Sequence, residues 1–158
     1  MGGSAQGRCS AQQHERIQDY LDAGHSSCVL RHEHVASLVQ AALLHGDDVQ
    51  YRLLAWVVMP NHVHVLVEML PGYPLYQVVQ AWKSVTARRA NVLLGRKGTL
   101  WQRDYFDRYI RDERHMERAI VYIHGNPVKA GLVARAEDWP FGSARWTAAL
   151  DEALGVPG

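Results

Sequence analysis

The hydrophobic positions of this chain follow helical spacing in some stretches and extended spacing in others. Apolar side chains recur three and four positions apart over Arg31–His45 and over Leu75–Leu94, as an amphipathic helix requires. Between them, Val49–Met59 and His62–Met69 are rich in β-branched and aromatic residues, and a Pro-Asn dipeptide separates the two runs. These two runs are therefore predicted to form a β-hairpin.

Weaker patterns predict the other elements. They are a short helix over residues 14–23, a short strand over residues 105–110, and a helix from residue 112 to about residue 125 that an Asn-Pro dipeptide ends. The helix over residues 14–23 is predicted from the helical spacing of Ile17, Tyr20 and Leu21. The helix from residue 112 begins at Asp112, a favourable N-cap. Helices interleaved with a hairpin and a later strand predict an α+β fold, a ferredoxin-like antiparallel sheet with helices packed on one face.

The length of 158 residues is that of one domain. We expect a flexible lead-in over residues 1–13, a folded domain over residues 14–147 and a C-terminal tail over residues 148–158. The 47% of hydrophobic residues and 21% of charged residues exclude a disordered chain, and no apolar run reaches the roughly 20 residues of a membrane helix. The polar N-terminus is not a secretory signal, and two cysteines make no disulfide framework, so a cytoplasmic protein is expected.

The net charge of +1 conceals a segregation of charge along the chain. Residues 1–70 hold four arginines against seven acids, and residues 136–158 hold one arginine against four acids. Residues 71–135 hold twelve lysines and arginines against five acids, a net of +7. This basic segment suggests a face that binds a polyanion, although a solvated basic helix has the same composition.

A first candidate for chemistry is the pair His62 and His64 on the second predicted hairpin strand. Since strand side chains alternate, both imidazoles point to the face opposite Val63. Two neutral imidazoles placed in this way can bind one divalent metal ion. Strand histidines are more often surface or hydrogen-bonded residues, so the pair alone leaves both interpretations open. The similar triplet His32-Glu33-His34 lies at a predicted helix start, where positions i and i+2 do not face together, and is expected at the surface.

A second candidate is Tyr122 with Asn126. They are four residues apart near the end of a predicted helix and therefore share a face. A tyrosine can act as a covalent nucleophile, and an amide one turn later could bind or orient a group at the same centre. A core tyrosine followed by a C-cap asparagine is the structural alternative.

The basic segment is interleaved with aromatic residues, among them Trp101, Tyr105, Phe106 and Tyr109. Guanidinium groups hold phosphates and aromatic rings stack on unpaired bases, so this mixture is typical of a nucleic-acid-binding surface. The candidate DNA contacts are Lys83, Arg103, Arg108 and Arg111.

Taken together, these motifs resemble the single-tyrosine HUH transposases, and in particular the REP-associated tyrosine transposases of bacteria. The resemblance covers about residues 21–146. It is carried by the stretches LLAWVVMPNHVHVLVE, SVTARRAN, LWQRDYFDRYIRDE and YIHGNPVKAGLV. HUH denotes histidine, hydrophobic residue, histidine, which is His62-Val63-His64 in this sequence.

The resemblance implies a metal-dependent single-stranded DNA endonuclease and strand transferase, with residues 14–147 as its catalytic domain. Tyr122 would be the nucleophile that forms a 5′-phosphotyrosine, and His62 and His64 would hold Mg²⁺ or Mn²⁺ with Asn126 as a possible third ligand. The implied partner is single-stranded DNA that contains a hairpin, with no membrane involved. The protein would act as a monomer or a homodimer.

One feature of the resembled family is missing from this sequence pattern. Family members usually begin with a further strand, and nothing strand-like precedes residue 14. Either the chain is truncated, which would leave an open sheet edge beside the HUH strand where a second copy could pair, or another segment fills the gap. A truncated, non-catalytic DNA-binding relic of a transposase is accordingly the alternative function. A structural zinc domain is disfavoured, because the cysteines are not clustered.

Overall fold

The computed structural model describes residues 16–23, 28–103 and 105–156. The strands of this part are β1 (Arg16–Asp22), β2 (Tyr51–Val58), β3 (His62–Met69) and β4 (Tyr105–Tyr109). The α-helices are α1 (Glu33–His45), α2 (Leu75–Leu94), α3 (Glu113–Lys129) and α4 (Ser143–Leu154). The predicted lead-in lies outside the described residues.

The four strands form one antiparallel sheet in the order β2-β3-β1-β4. Since the chain runs β1-α1-β2-β3-α2-β4 before α3 begins, this is the ferredoxin-like arrangement. The predicted α+β class and antiparallel sheet are confirmed. The expected packing on one face holds for α1 and α2, whereas α3 packs on the opposite face.

The central strand β1 corrects the prediction for the start of the chain. The segment predicted as a helix over residues 14–23 forms a strand from Arg16 to Asp22, placed between β3 and β4. Its alternate residues Ile17, Asp19 and Leu21 are buried. Because one of the three is an aspartate, the alternation of apolar and polar residues that marks a strand is not visible in the sequence. Of the two alternatives for the missing first strand, the structure shows the second, since Arg16–Asp22 fills the gap. The HUH strand β3 has a neighbour on each side, so the open edge of the truncated alternative is not formed.

The main core lies between the sheet and the first two helices. Val63, Val65 and Val67 of β3 point into it, as predicted for the residues that alternate with the histidines. Helices α1 and α2 cover them with the apolar side chains Val35, Val39, Leu43, Val78, Val79 and Trp82. The histidines therefore face the other side of the sheet.

Helix α3 lies across β2 and β3 on that other side. Its residues Ala119 and Ile123 pack with Leu66 of the sheet in a second buried cluster. The Asp112 side chain accepts a hydrogen bond from the backbone N–H of His115 at 2.7 Å, which confirms the predicted N-cap.

The helix continues beyond its predicted end at about residue 125, to Lys129. Pro127 lies inside its last turn. A proline lacks its own N–H, but the hydrogen bonds of its neighbours remain. The backbone N–H of Ala130 still donates to the carbonyl of Asn126 at 3.0 Å.

The C-terminal residues pack back against β2. The backbone N–H of Val58 donates to the carbonyl of Phe141 at 2.8 Å, and the rings of Trp56 and Trp146 meet edge to face. The predicted domain boundary after residue 147 falls within α4. Among the described residues, no helix is long and apolar enough to cross a membrane.

Candidate active site

His62 and His64 lie on one face of β3, with ring centroids 4.9 Å apart and planes nearly perpendicular. His64 is 6% exposed. Burial and, to a smaller extent, repulsion from His62 lower the pKa of His64 to about 4. The His64 imidazole is therefore neutral near pH 7, which is the form that binds metal ions.

Tyr122 of α3 stands beside this pair. Its ring meets the ring of His64 edge to face with the centroids 5.3 Å apart, and the residue is 49% exposed.

Two side-chain contacts stabilise the position of helix α3, which carries Tyr122. An Arg16 guanidinium nitrogen lies 2.8 Å from a carboxylate oxygen of Glu113, in the first turn of α3. The opposite end is held by a hydrogen bond of 2.7 Å between His124 Nε2 and Ser143 Oγ.

Tyr20 of β1 contacts both histidines and was not predicted from the sequence as a residue of this site. It lies directly opposite His64 in the strand register. Its ring stacks on His62 at 5.0 Å and meets His64 edge to face at 4.9 Å. The alternation of buried Ile17 and Leu21 is the signal that places Tyr20 on the histidine face, but the helical interpretation of this segment concealed it.

A groove of about 590 Å³, here called the α3 groove, runs between α3 and the exposed face of β1 and β4. Its lining includes Tyr20, His64, Phe106, Arg108, Arg118 and Tyr122. Asp19 and Asp107 also border it, but they are paired in register, with their side chains on the opposite face of the sheet. The groove is therefore an open, predominantly basic cleft with Tyr122 in its wall.

The structure divides the four predicted DNA contacts into two pairs. Arg108 and Arg111 both line the α3 groove, and His115 Nδ1 accepts a hydrogen bond from the Arg111 backbone at 3.1 Å. Lys83 instead donates from Nζ to the backbone carbonyls of Gln102 and Arg103, at 2.9 and 3.1 Å. Lys83 and Arg103 are not among the residues that line the groove.

Arg118 of the groove was not singled out as a DNA contact in the sequence analysis. It lies four residues before Tyr122, and the helical spacing is the signal that could have identified it. A guanidinium one turn from the tyrosine is well placed to hold a phosphate in the groove.

The donor set at the histidine pair suits a divalent metal. Nδ1 of His64 is buried and has no hydrogen-bond partner among the described residues. Nδ1 of His62 lies 2.8 Å from Oδ1 of Asn61, a contact that orients this ring. In the described part of the chain, no three His, Cys, Asp or Glu side chains converge, so a metal here would need further ligands of another kind.

Asn126, the predicted third ligand, lies one turn beyond Tyr122. Its amide nitrogen donates to the Tyr122 carbonyl at 3.2 Å. The amide oxygen, which is the atom that a metal would use, takes no part in this hydrogen bond. His32 and His34 are exposed at the start of α1, as predicted. The expectation that the two do not face together was wrong, since their ring centroids lie 5.5 Å apart and His32 is the N-cap with an extended backbone.

Comparison with known proteins identifies the family. The family model for IS200-like transposases matches residues 27–126, more than half of the chain, and this span includes the histidine pair and Tyr122. The chain belongs to the IS200-like transposase family. A REP-associated tyrosine transposase of Escherichia coli K12 is 30% identical over 94 residues, which cover 60% of this chain and 54% of that protein. A Haemophilus influenzae protein assigned to the same group is 27% identical over 103 residues, which cover 59% and 58%. The chain thus matches little more than half the length of these relatives.

A solved structure shares the fold of this family member. It is a REP-associated tyrosine transposase bound to a REP hairpin, and it superposes with a TM-score of 0.71 at 22% sequence identity. The match covers 92% of this chain and 83% of that chain. The ferredoxin-like sheet and its helices are therefore the architecture of a known transposase.

Proposed function

We propose that this protein cleaves and rejoins single-stranded DNA through a 5′-phosphotyrosine on Tyr122, with Mg²⁺ or Mn²⁺ at His62 and His64. The observation that carries the proposal is the contact between Tyr122 and His64, with ring centroids 5.3 Å apart within one chain. Membership of a transposase family supports the same chemistry.

In this mechanism, the Tyr122 hydroxyl attacks the phosphorus of a phosphodiester held in the α3 groove. A bond forms between the phenolic oxygen and phosphorus, and the bond from phosphorus to the 3′ oxygen breaks. The phenol loses its proton and the departing oxygen gains one, which leaves a 5′-phosphotyrosine and a free 3′-hydroxyl. Attack by another 3′-hydroxyl reverses the step and joins a new strand, so no nucleotide cofactor is needed.

The residues around Tyr122 assist this step. A free tyrosine has a pKa of about 10 and is a weak nucleophile at neutral pH. A bound metal ion would supply Lewis-acid polarisation of the phosphate. The neutral imidazoles of His62 and His64 would hold that ion, with the amide oxygen of Asn126 as the proposed third ligand. Arg108 and Arg111 would hold the neighbouring phosphates.

The proposed substrate is single-stranded DNA beside a hairpin, since a structural relative was solved with a REP hairpin. A truncated, non-catalytic relic is the rival function. Its main support was the expectation that no strand precedes the first helix. Because β1 occupies the central position, that support is removed.

Trapping of a covalent adduct tests the proposal. The protein is incubated with a pool of hairpin-flanked single-stranded oligonucleotides, in parallel with Mg²⁺ and with Mn²⁺, and adducts that resist denaturant are mapped by mass spectrometry. We expect one adduct, on Tyr122. Tyr122→Phe removes one oxygen and should bind DNA without forming it, whereas Tyr20→Phe, which removes a second hydroxyl beside the histidines, should still form it. An adduct in Tyr122→Phe contradicts the assigned nucleophile, and DNA binding with no adduct under either metal favours the relic.

A further inference from the structure

Phe106 of β4 is 71% exposed although it lies on the same sheet face as the histidines. It is paired in register with Tyr20, and the two ring centroids are 6.2 Å apart. The Tyr20 ring in turn stacks on His62. Tyr20 and Phe106, here called the aromatic platform, therefore form a row of two rings, tilted by 58° to each other, that leads from the histidine pair into the α3 groove.

The surroundings of the aromatic platform are cationic. Arg108 lies two residues after Phe106 on the same strand and hence on the same face, and Arg118 extends from the groove wall. Helix α3 covers β2 and β3 with Ala119 and Ile123 but leaves the platform open. An exposed flat ring flanked by guanidinium groups suits an unpaired nucleobase and its phosphates. Duplex DNA is unsuited, because its base faces are already stacked on each other.

We propose that the aromatic platform is a stacking subsite for one unpaired nucleobase, next to the phosphate that Tyr122 attacks. The identity of the ligand rests on the proposed function. Arg108 holds a phosphate that flanks this base. Phe106 is the more exposed of the two aromatic residues and supplies the ring on which the base stacks. The subsite explains how a strand with no paired bases is held in the α3 groove beside Tyr122.

The test compares two probes that differ only in their bases. Fluorescein-labelled hexathymidylate and a hexamer of abasic deoxyribose phosphates carry the same phosphates, so the ratio of their affinities isolates the contribution of the bases. Binding is measured by anisotropy in the Tyr122→Phe background, where no cleavage should intervene. We expect Phe106→Ala to weaken hexathymidylate binding roughly fivefold or more, with abasic binding unchanged, and Phe106→Tyr to restore it.

Tyr109 offers a matched control on the same strand. Its side chain is 57% exposed, but it pairs in register with Ile17 and therefore belongs to the opposite face. Tyr109→Ala should leave the affinity ratio unchanged, and Arg108→Ala should weaken both probes equally. If Phe106→Ala weakens the binding of both probes by the same factor, the aromatic platform is wrong. It is also wrong if Tyr109→Ala changes the affinity ratio as much as Phe106→Ala does.

The platform and the proposed chemistry can fail separately. If the unmodified protein forms the Tyr122 adduct while Phe106→Ala leaves the ratio unchanged, the chemistry stands and the platform is wrong. If no adduct forms but the ratio changes as expected, the platform is supported on a DNA-binding relic. A chain that binds neither probe at low salt contradicts both proposals.

Discussion

The ring of Tyr122 meets the ring of His64 edge to face, 5.3 Å away, although the two residues are far apart in the sequence. Their contact depends on how α3 is seated on the sheet. Ala119 and Ile123 bury one side of the helix against Leu66, and this leaves Tyr122 at the margin, facing the histidines. Contacts that fasten α3 therefore help to position the proposed nucleophile.

Ser143→Ala should destabilise the fold by about 1–3 kcal/mol. Ser143 is 4% exposed, and its hydroxyl bonds His124 Nε2 at 2.7 Å and accepts from the Trp56 backbone N–H at 3.0 Å. Removal of the hydroxyl leaves the buried Trp56 N–H and the half-buried His124 ring nitrogen without this partner. Urea denaturation measures the loss. Thr147→Ala is the control, since Thr147 is exposed one turn later on the same helix and its hydroxyl donates only to the Ser143 carbonyl, within the helix; we expect its stability within about 0.5 kcal/mol of the unmodified protein. Equal small effects from both substitutions would show that this link is unimportant.

His64→Ala should abolish Mn²⁺ binding measured by isothermal titration calorimetry. The reason is the neutral, buried imidazole of His64, whose Nδ1 has no hydrogen-bond partner in the described part of the protein. His34→Ala is the matched control, since it removes an exposed histidine of the other His-x-His triplet. Retention of Mn²⁺ affinity by His64→Ala, or its loss in His34→Ala, would place the metal elsewhere.

Arg108→Ala combined with Arg111→Ala should flatten the salt dependence of binding to single-stranded DNA. Both side chains line the α3 groove. The slope of log K against log salt should become shallower by about 0.7 for each phosphate that the protein no longer neutralises, measured by anisotropy between about 50 and 200 mM salt. Arg89→Ala removes the same type of charge from α2, where Arg89 borders a different cavity between α1 and α2, and should leave the slope unchanged. An equal change in all variants would indicate a diffuse effect of net charge.

Asp19→Asn should stabilise the protein above pH 7. Burial and, to a smaller extent, repulsion from Asp107 of β4 raise the pKa of Asp19 from 3.8 to about 7, and Lys83 of α2 opposes both. Between pH 3.8 and about pH 7, Asp19 therefore keeps its proton in the folded protein, whereas in the unfolded chain it has released it. The free energy of unfolding therefore falls as pH rises toward 7, on the order of a few kcal/mol in all.

Denaturation at pH 5 and pH 8 checks this prediction. The advantage of Asp19→Asn over the unmodified protein should be large at pH 8 and much smaller at pH 5. Glu117→Gln, at an exposed position on α3, should change stability by less than about 0.5 kcal/mol at both pH values. A pH-independent effect of Asp19→Asn would mean that Asp19 does not carry this proton.

Local patterns predicted most elements well. The bounds of β3 and α2 were predicted to the residue, because each carries a continuous hydrophobic period with a clear turn or cap at its ends. The prediction for Arg16–Asp22 was wrong, since Ile17, Tyr20 and Leu21 fit helical spacing while a polar Asp19 occupies a buried strand position. A seven-residue strand stabilised by two neighbouring strands needs little local propensity of its own.

The sequence by itself determined the order of most elements, the segregation of charge and the alternation that puts His62 and His64 on one face. Each depends on residues that are close together in the chain. Only the tertiary structure decided that Tyr20 lies beside these histidines, that α3 packs on their face, and that Arg108 borders the groove while Lys83 bonds a backbone loop. These outcomes depend on strand order and on which sheet surface remains free for a helix. Both are set by burying apolar area between segments that are distant in sequence.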